Sequence, residues 1–243
     1  MKKTNFKKVV KTFFALIVPV LVAVYAYFFI SIYRGGTFAN VENNVENFTE
    51  EEITYEIIDF GGYNWLILDE QNGWTLLLME NTWTSFPYHE NRKEVTWENS
   101  SLRQILNDDF YNSMPNENRE RIVKTSVSNS ENQWFRTDGG ADTKDYVFLL
   151  SLEEVIEYFG DSGYLGQRPA FNHGVIARDI NDQYNSARIA YDSLGNTSVW
   201  WLRSPGGDSN RAANITNAGL IHVRGNYVDT DYCGVRPAMW INL

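Results

Sequence analysis

The residues best suited to chemistry lie toward the end of the 243-residue chain. Asp208 and Asn210 flank a serine in one loop, and Asp229 and Asp231 flank a threonine in the next. Oxygens at that spacing can supply part of the set that calcium takes. The same pairs are ordinary turn formers, because Asp and Asn side chains bond the backbone two residues on, so no metal is assigned. Around these loops stand Arg211, Asn214, His222, Arg224, Asn226, Tyr227 and Tyr232. Aromatic rings give contact area at low entropy cost, and amides give adaptable hydrogen bonds. That combination suits a sugar or a protein surface, and with the loop acids and amide these residues form the candidate ligand-binding set.

Other constellations are weaker. Gly160-Asp161-Ser162-Gly163 resembles the nucleophile stretch of trypsin-like serine proteases over four residues only, and falls where a helix should end. His89, His173 and His222 include no pair at i, i+4, so a helical zinc site has no support. Cys233 is the single cysteine and reads as a small buried hydrophobe. Arg203 and Arg236 sit inside apolar strands, where a buried guanidinium needs a partner, and they read as structural. Trp200, Trp201 and Trp240 read as structural too. No phosphate-cradling glycine motif occurs, and no cofactor or catalytic residue is assigned.

The elements that must hold these residues are mostly strands. Runs 53–60, 63–69 and 74–80 are rich in β-branched and aromatic residues and are separated by Gly61-Gly62 and Asn72-Gly73, which predicts an antiparallel meander. Leu102, Ile105, Leu106 and Phe110 recur at helical spacing behind Ser100 or Ser101. Pro115 introduces a second helical stretch, NENRERIV. Residues 145–151 read as a buried strand running into a third helix, LEEVIEYF, with a capping box from Ser151 and Glu154. Beyond residue 197 the pattern is all strand and loop. There Ala213, Ile215, Ile221 and Val223 share a core face, and Asn214, Thr216, His222 and Arg224 fall on the other.

Charge divides the chain. The formal net charge is -10, yet the first 34 residues hold six basic and no acidic side chains, leaving 15 basic against 31 acidic beyond them, a net of -16. So acidic a body argues against nucleic acid as a partner. Residues 12–33 form an uncharged run of 22, about 33 Å as a helix and enough to cross a hydrocarbon core. The basic flank on its N-terminal side predicts a single-pass span with the N-terminus inside. The expected organisation is a cytoplasmic basic segment 1–11, a transmembrane anchor 12–33, a flexible acidic stalk 34–52 and an extracytoplasmic domain 53–243. A cleaved secretory signal is the rival reading of the first segment.

The end of the chain, WWLRSPGGDSNRAANITNAGLIHVRGNYVDTDYCGVRPAMWINL, resembles the C-terminal signature of an uncharacterised bacterial family known only as a domain of unknown function. Upstream, TWENSSLRQILNDDFY and DYVFLLSLEEVIEYF resemble further pieces of it, so the likeness covers about residues 54–243. It implies no activity. Gly234-Val235-Arg236 is more distantly similar to the closing strand of formylglycine-generating-enzyme and C-type-lectin-like folds, which implies a C-type-lectin-like fold with a ligand surface in the late loops. That enzyme branch needs a cysteine pair, and this chain has one cysteine. The expectation is an α+β, C-type-lectin-like domain with antiparallel sheets and two to three helices behind one transmembrane helix. Its expected role is a membrane-anchored binding module for an extracellular glycan or protein. A structural subunit of a surface assembly is the alternative, and a hydrolase of envelope polymers with two facing carboxylates a further one.

Overall fold

Two tight turns set the first sheet. In a computed structural model that describes residues 53–167 and 177–242, Gly61 and Gly62 take φ of 64° and 83°, and Asn72 and Gly73 take 55° and 80°. Paired positive φ is the turn geometry whose twist matches that of the flanking strands. The turns join β1 (Ile57–Phe60), β2 (Tyr63–Gln71) and β3 (Trp74–Met79) into the meander, with Phe60 opposite Tyr63 and Gln71 opposite Trp74. A short β4 (Thr84–Ser85) follows.

The middle of the chain departs from the helical reading. Ser100 caps α1 (Ser101–Ile105) by accepting from Arg103 N at 3.1 Å. The helix then widens into a π turn over Leu106–Phe110 and closes as α2 (Tyr111–Ser113). Leu102, Leu106 and Phe110 are fully buried. At the π turn the Asn107 amide accepts from Tyr146 N and Val147 N and donates to Val147 O and to Arg103 O of the helix. The NENRERIV stretch yields only α3 (Asn116–Arg119). Its last two residues become β5 (Ile122–Val123), because a strand edge is available to them. Next come β6 (Thr125–Val127) and β7 (Thr143–Asp145), paired to each other. Residues 147–150 are buried without forming a ladder; Phe148 exchanges backbone bonds with Ala238, and Arg203 N donates to Leu150 O. The helix α4 (Leu152–Phe159) carries the capping box of Ser151 and Glu154 and ends at Gly160, φ 108°.

The rest is strand-dominated: β8 (Asp179–Ile180), α5 (Asn185–Arg188), β9 (Ala190–Tyr191), β10 (Thr197–Ser198), β11 (Trp200–Pro205), β12 (Arg211–Ile215), β13 (Ile221–Tyr227), β14 (Gly234–Val235) and β15 (Ala238–Asn242). One sheet runs β1-β2-β3-β15-β5 and a second runs β4-β14-β11-β12-β13-β8. Every pairing is antiparallel except that of β11 with β14. The chain passes from the second sheet to the first within Arg236-Pro237. At that crossing the buried Arg236 donates from Nε to Met79 O at 2.8 Å and from Nη2 to Glu80 O at 2.9 Å, with the Trp200 ring 4.9 Å away. Carbonyls and a π face take the place of a carboxylate partner, and burial pulls its pKa down to about 9.

The expected α+β, C-type-lectin-like layout is therefore corrected. The fold is sheet-rich with few and short helices; α4, at eight residues, stands out in length. Apolar spacings that read as helix are used up by a π turn and by strand pairing. Among the described residues no helix is long and apolar enough to cross a membrane. The run 12–33 and the flanking segments 1–11 and 34–52 lie outside the described residues. All described residues fall in one compact unit, Glu51–Leu243.

Candidate functional site

The site is built at the open end of the β12–β13 hairpin. Pro205-Gly206-Gly207 leads out of β11, and this loop lies flat on the hairpin. Gly206 N donates to Arg211 O at 2.8 Å and Gly207 N to Arg224 O at 2.7 Å. A Cβ on Gly206 would stand 2.4 Å from Arg224 O, and one on Gly207 2.8 Å from Arg224 Cγ. Glycine is thus required for so close an approach. A third segment, 89–95, is strapped across both loops: His89 N donates to Val228 O at 2.8 Å and Val95 N to Ser209 O at 2.9 Å. Arg92 rides on that strap.

These constraints gather Asp208, Arg211, Arg224, Tyr227 and Asp229 with Arg92. Arg211 and Tyr227 face each other across the strands. The Arg211 guanidinium lies 3.7 Å from the Tyr227 ring centre and that of Arg92 lies 3.9 Å from it. Two planar groups that near have no room on one face, so they occupy opposite faces of the ring. Arg92 Nε donates to Asp229 Oδ1 at 2.9 Å, and Arg211 Nη1 to Gly225 O at 2.9 Å. Asp208 Oδ2 stands 3.4 Å from Arg211 Nε and 3.9 Å from Arg224 Nη2.

The remaining candidates are elsewhere or otherwise engaged. Asn214 is buried, because β12 is an interior strand covered on both faces. His222 pairs with Asp179 toward the other end of β13. Asn226 donates to Cys233 Sγ, and Asn210 holds Val228 N with its carbonyl. Asp231 is exposed, and Tyr232 is 62% exposed. Phe86 N donates to the carbonyl of Cys233, the residue that follows Tyr232 in the chain. Arg92 and Phe86 were not signalled by any local pattern; both arrive from distant loops.

Among residues read as structural, Trp200 and Trp201 are fully buried, their indole N–H groups donating to Arg188 O and Phe86 O. Trp240 is half-buried. Arg203 forks onto Glu154 and also donates to Ser128 O and Leu149 O. Ser162 of the Gly-Asp-Ser-Gly stretch donates to Asp182 Oδ2 at 2.8 Å, and Asp182 in turn receives both ends of the buried Arg188. That serine is tied to an arginine-bound carboxylate. His89 accepts from Ser101 N through Nδ1, and burial pushes its pKa down. His173 lies outside the described residues. Burial pushes the Cys233 thiol up to about 12. Among the described residues no three His, Cys, Asp or Glu side chains gather to hold a metal ion.

A family model described as Domain of unknown function (DUF6273) matches residues 72–243. No curated protein and no solved structure matches the chain. The chain belongs to that family.

Proposed function

We propose that this member of the family is a binding module whose ligand, a glycan or a protein outside the cytoplasm, docks on the loop cluster at the open end of β12 and β13. The observation that carries the reading is the convergence of Asp208, Arg211, Arg224, Tyr227 and Asp229 with Arg92. Charged and aromatic side chains there are half exposed, yet their backbones are fixed by two strands, a flat glycine loop and a strap. A preorganised polar surface of this kind loses little entropy on binding. Tyr227 does not serve as a stacking platform, since both ring faces are taken; it orders two guanidiniums instead.

The placement outside the cytoplasm, at the cell membrane, rests on the sequence alone: basic residues before the uncharged run 12–33, and a strongly acidic body after it. Protease added to intact cells should degrade residues 53–243 and spare an N-terminal tag. The binding reading is tested by retention of the full chain on immobilised envelope glycans and surface proteins. Replacing Arg92, Arg224 and Tyr227 together should abolish retention while the urea midpoint falls only slightly. Equal retention by wild type and variant removes the cluster from the function.

A further inference from the structure

We propose that the position held by the Asp208 carboxylate is a receptor site for an oxyanion of the ligand, a carboxylate or a phosphate, which displaces Asp208 on binding. The proposal rests on the loop cluster being the binding surface and names the chemistry it selects. Three arginines meet two aspartates here, a local positive excess on a chain whose net charge is -10. The two aspartates are not equivalent. Asp229 is well bonded, at 2.9 Å from Arg92 Nε. Asp208 has two cations aimed at one oxygen and bonds neither well, at 3.4 and 3.9 Å, where charge-assisted bonds run to about 2.7–2.9 Å.

Arg211 Nε is buried and makes no hydrogen bond among the described residues, so its donor is unmatched. Such a group costs free energy until an acceptor reaches it. Asp208 does not, because its backbone is held: its carbonyl accepts from Arg211 N at 2.9 Å, and the loop is pressed on the hairpin by Gly206 and Gly207. Its side chain is 59% exposed and can swing away. An incoming oxyanion is free of that tether and can approach Arg211 Nε and Arg224 in their own planes. Stacking on Tyr227 fixes the Arg211 plane in advance and leaves its N–H edge for this contact. Asp208 is thus an internal placeholder, and its removal strengthens binding.

The test is calorimetric titration of the full chain, purified in detergent, with inorganic phosphate, with trigalacturonate and with neutral maltotriose. Wild type should bind phosphate or trigalacturonate, whichever arm carries the natural chemistry, and bind it more weakly as sodium chloride rises. Asp208→Asn should bind that anion about tenfold tighter, and Arg224→Gln about tenfold weaker. Asp208→Ser repeats the first measurement should the asparagine variant unfold. Binding of neither anion by the Asp208 variants, or binding no tighter than wild type, overturns the placeholder. Retention of wild type on a neutral glycan with no effect of Asp208→Asn also overturns it, while leaving the binding module intact.

Discussion

Arg203 and Glu154 form a two-point fork between β11 and the first turn of α4, Nη1 to Oε2 and Nη2 to Oε1. The same Oε2 accepts from Ser151 N at 2.9 Å, completing the capping box. One carboxylate therefore starts a helix and neutralises an arginine that is 3% exposed. Removing it strands a buried charge, a change that costs about 3–5 kcal/mol. Glu154→Ala should lower the free energy of urea unfolding by roughly that amount. Glu154→Gln keeps an acceptor and should lose less. The double variant Glu154→Ala, Arg203→Met should recover part of the loss, and a cycle over the four proteins measures the coupling. Additive single losses would show that the fork contributes nothing.

His89 gives an acid limb to stability. It is buried and neutral, with Nδ1 occupied by Ser101 N, and burial and Lys93 hold its pKa below the usual value against a smaller opposing effect of Glu90. The unfolded chain takes up the proton first as pH falls, so unfolding gains from it, and stability drops from about pH 6.5 downward. The melting temperature should fall between pH 7 and 5 more steeply in wild type than in His89→Gln, whose amide oxygen can still accept from Ser101 N. Parallel profiles would count against this role.

Cys233 should be silent in the folded protein. Its thiol is fully buried and pushed up to about 12, so almost none is thiolate at pH 8. Iodoacetamide should label the chain only as it unfolds, and the labelling midpoint in urea should match that of tryptophan fluorescence. Fast labelling without urea would mean that the loop 228–233 opens locally.

Gly225 and Gly62 separate backbone strain from close contact. Both have positive φ, 70° and 83°. A Cβ at Gly62 meets nothing within 4 Å, whereas one at Gly225 would stand 2.0 Å from Ala212 O. Gly62→Ala should cost about 1 kcal/mol in urea unfolding. Gly225→Ala should cost about 3 kcal/mol and weaken binding as well, because the strand irregularity there aims Arg224 and Tyr227. Equal losses would show that contact with Ala212 is relieved cheaply.

Local chemistry explains what could be read in advance. The Asn72-Gly73 turn and the Ser151–Glu154 box are complete within four residues, so the sequence displays them whole. NENRERIV misleads because Ile122 and Val123 answer to β15, more than a hundred residues on, rather than to their neighbours. Strand alternation places Asn214 with His222 and Arg224, but β12 is covered on both faces while β13 keeps one face partly open, and Asn214 is buried. Between His222 and Arg224 the trouble is position along the strand: one pairs with Asp179, the other joins the loop cluster. Arg92 carries no signal, since it meets Asp229 across 137 residues.

The placement of β15 between β3 and β5 also sets an order in time. Those two strands have nothing to join them until residues 238–242 have been made, and β14, just before them, is equally late for the second sheet. A chain growing from its N-terminus can form the first meander early, yet neither sheet has its full strand order until residues 234–242 are present. Long-range pairing of this kind makes folding wait on its latest strands.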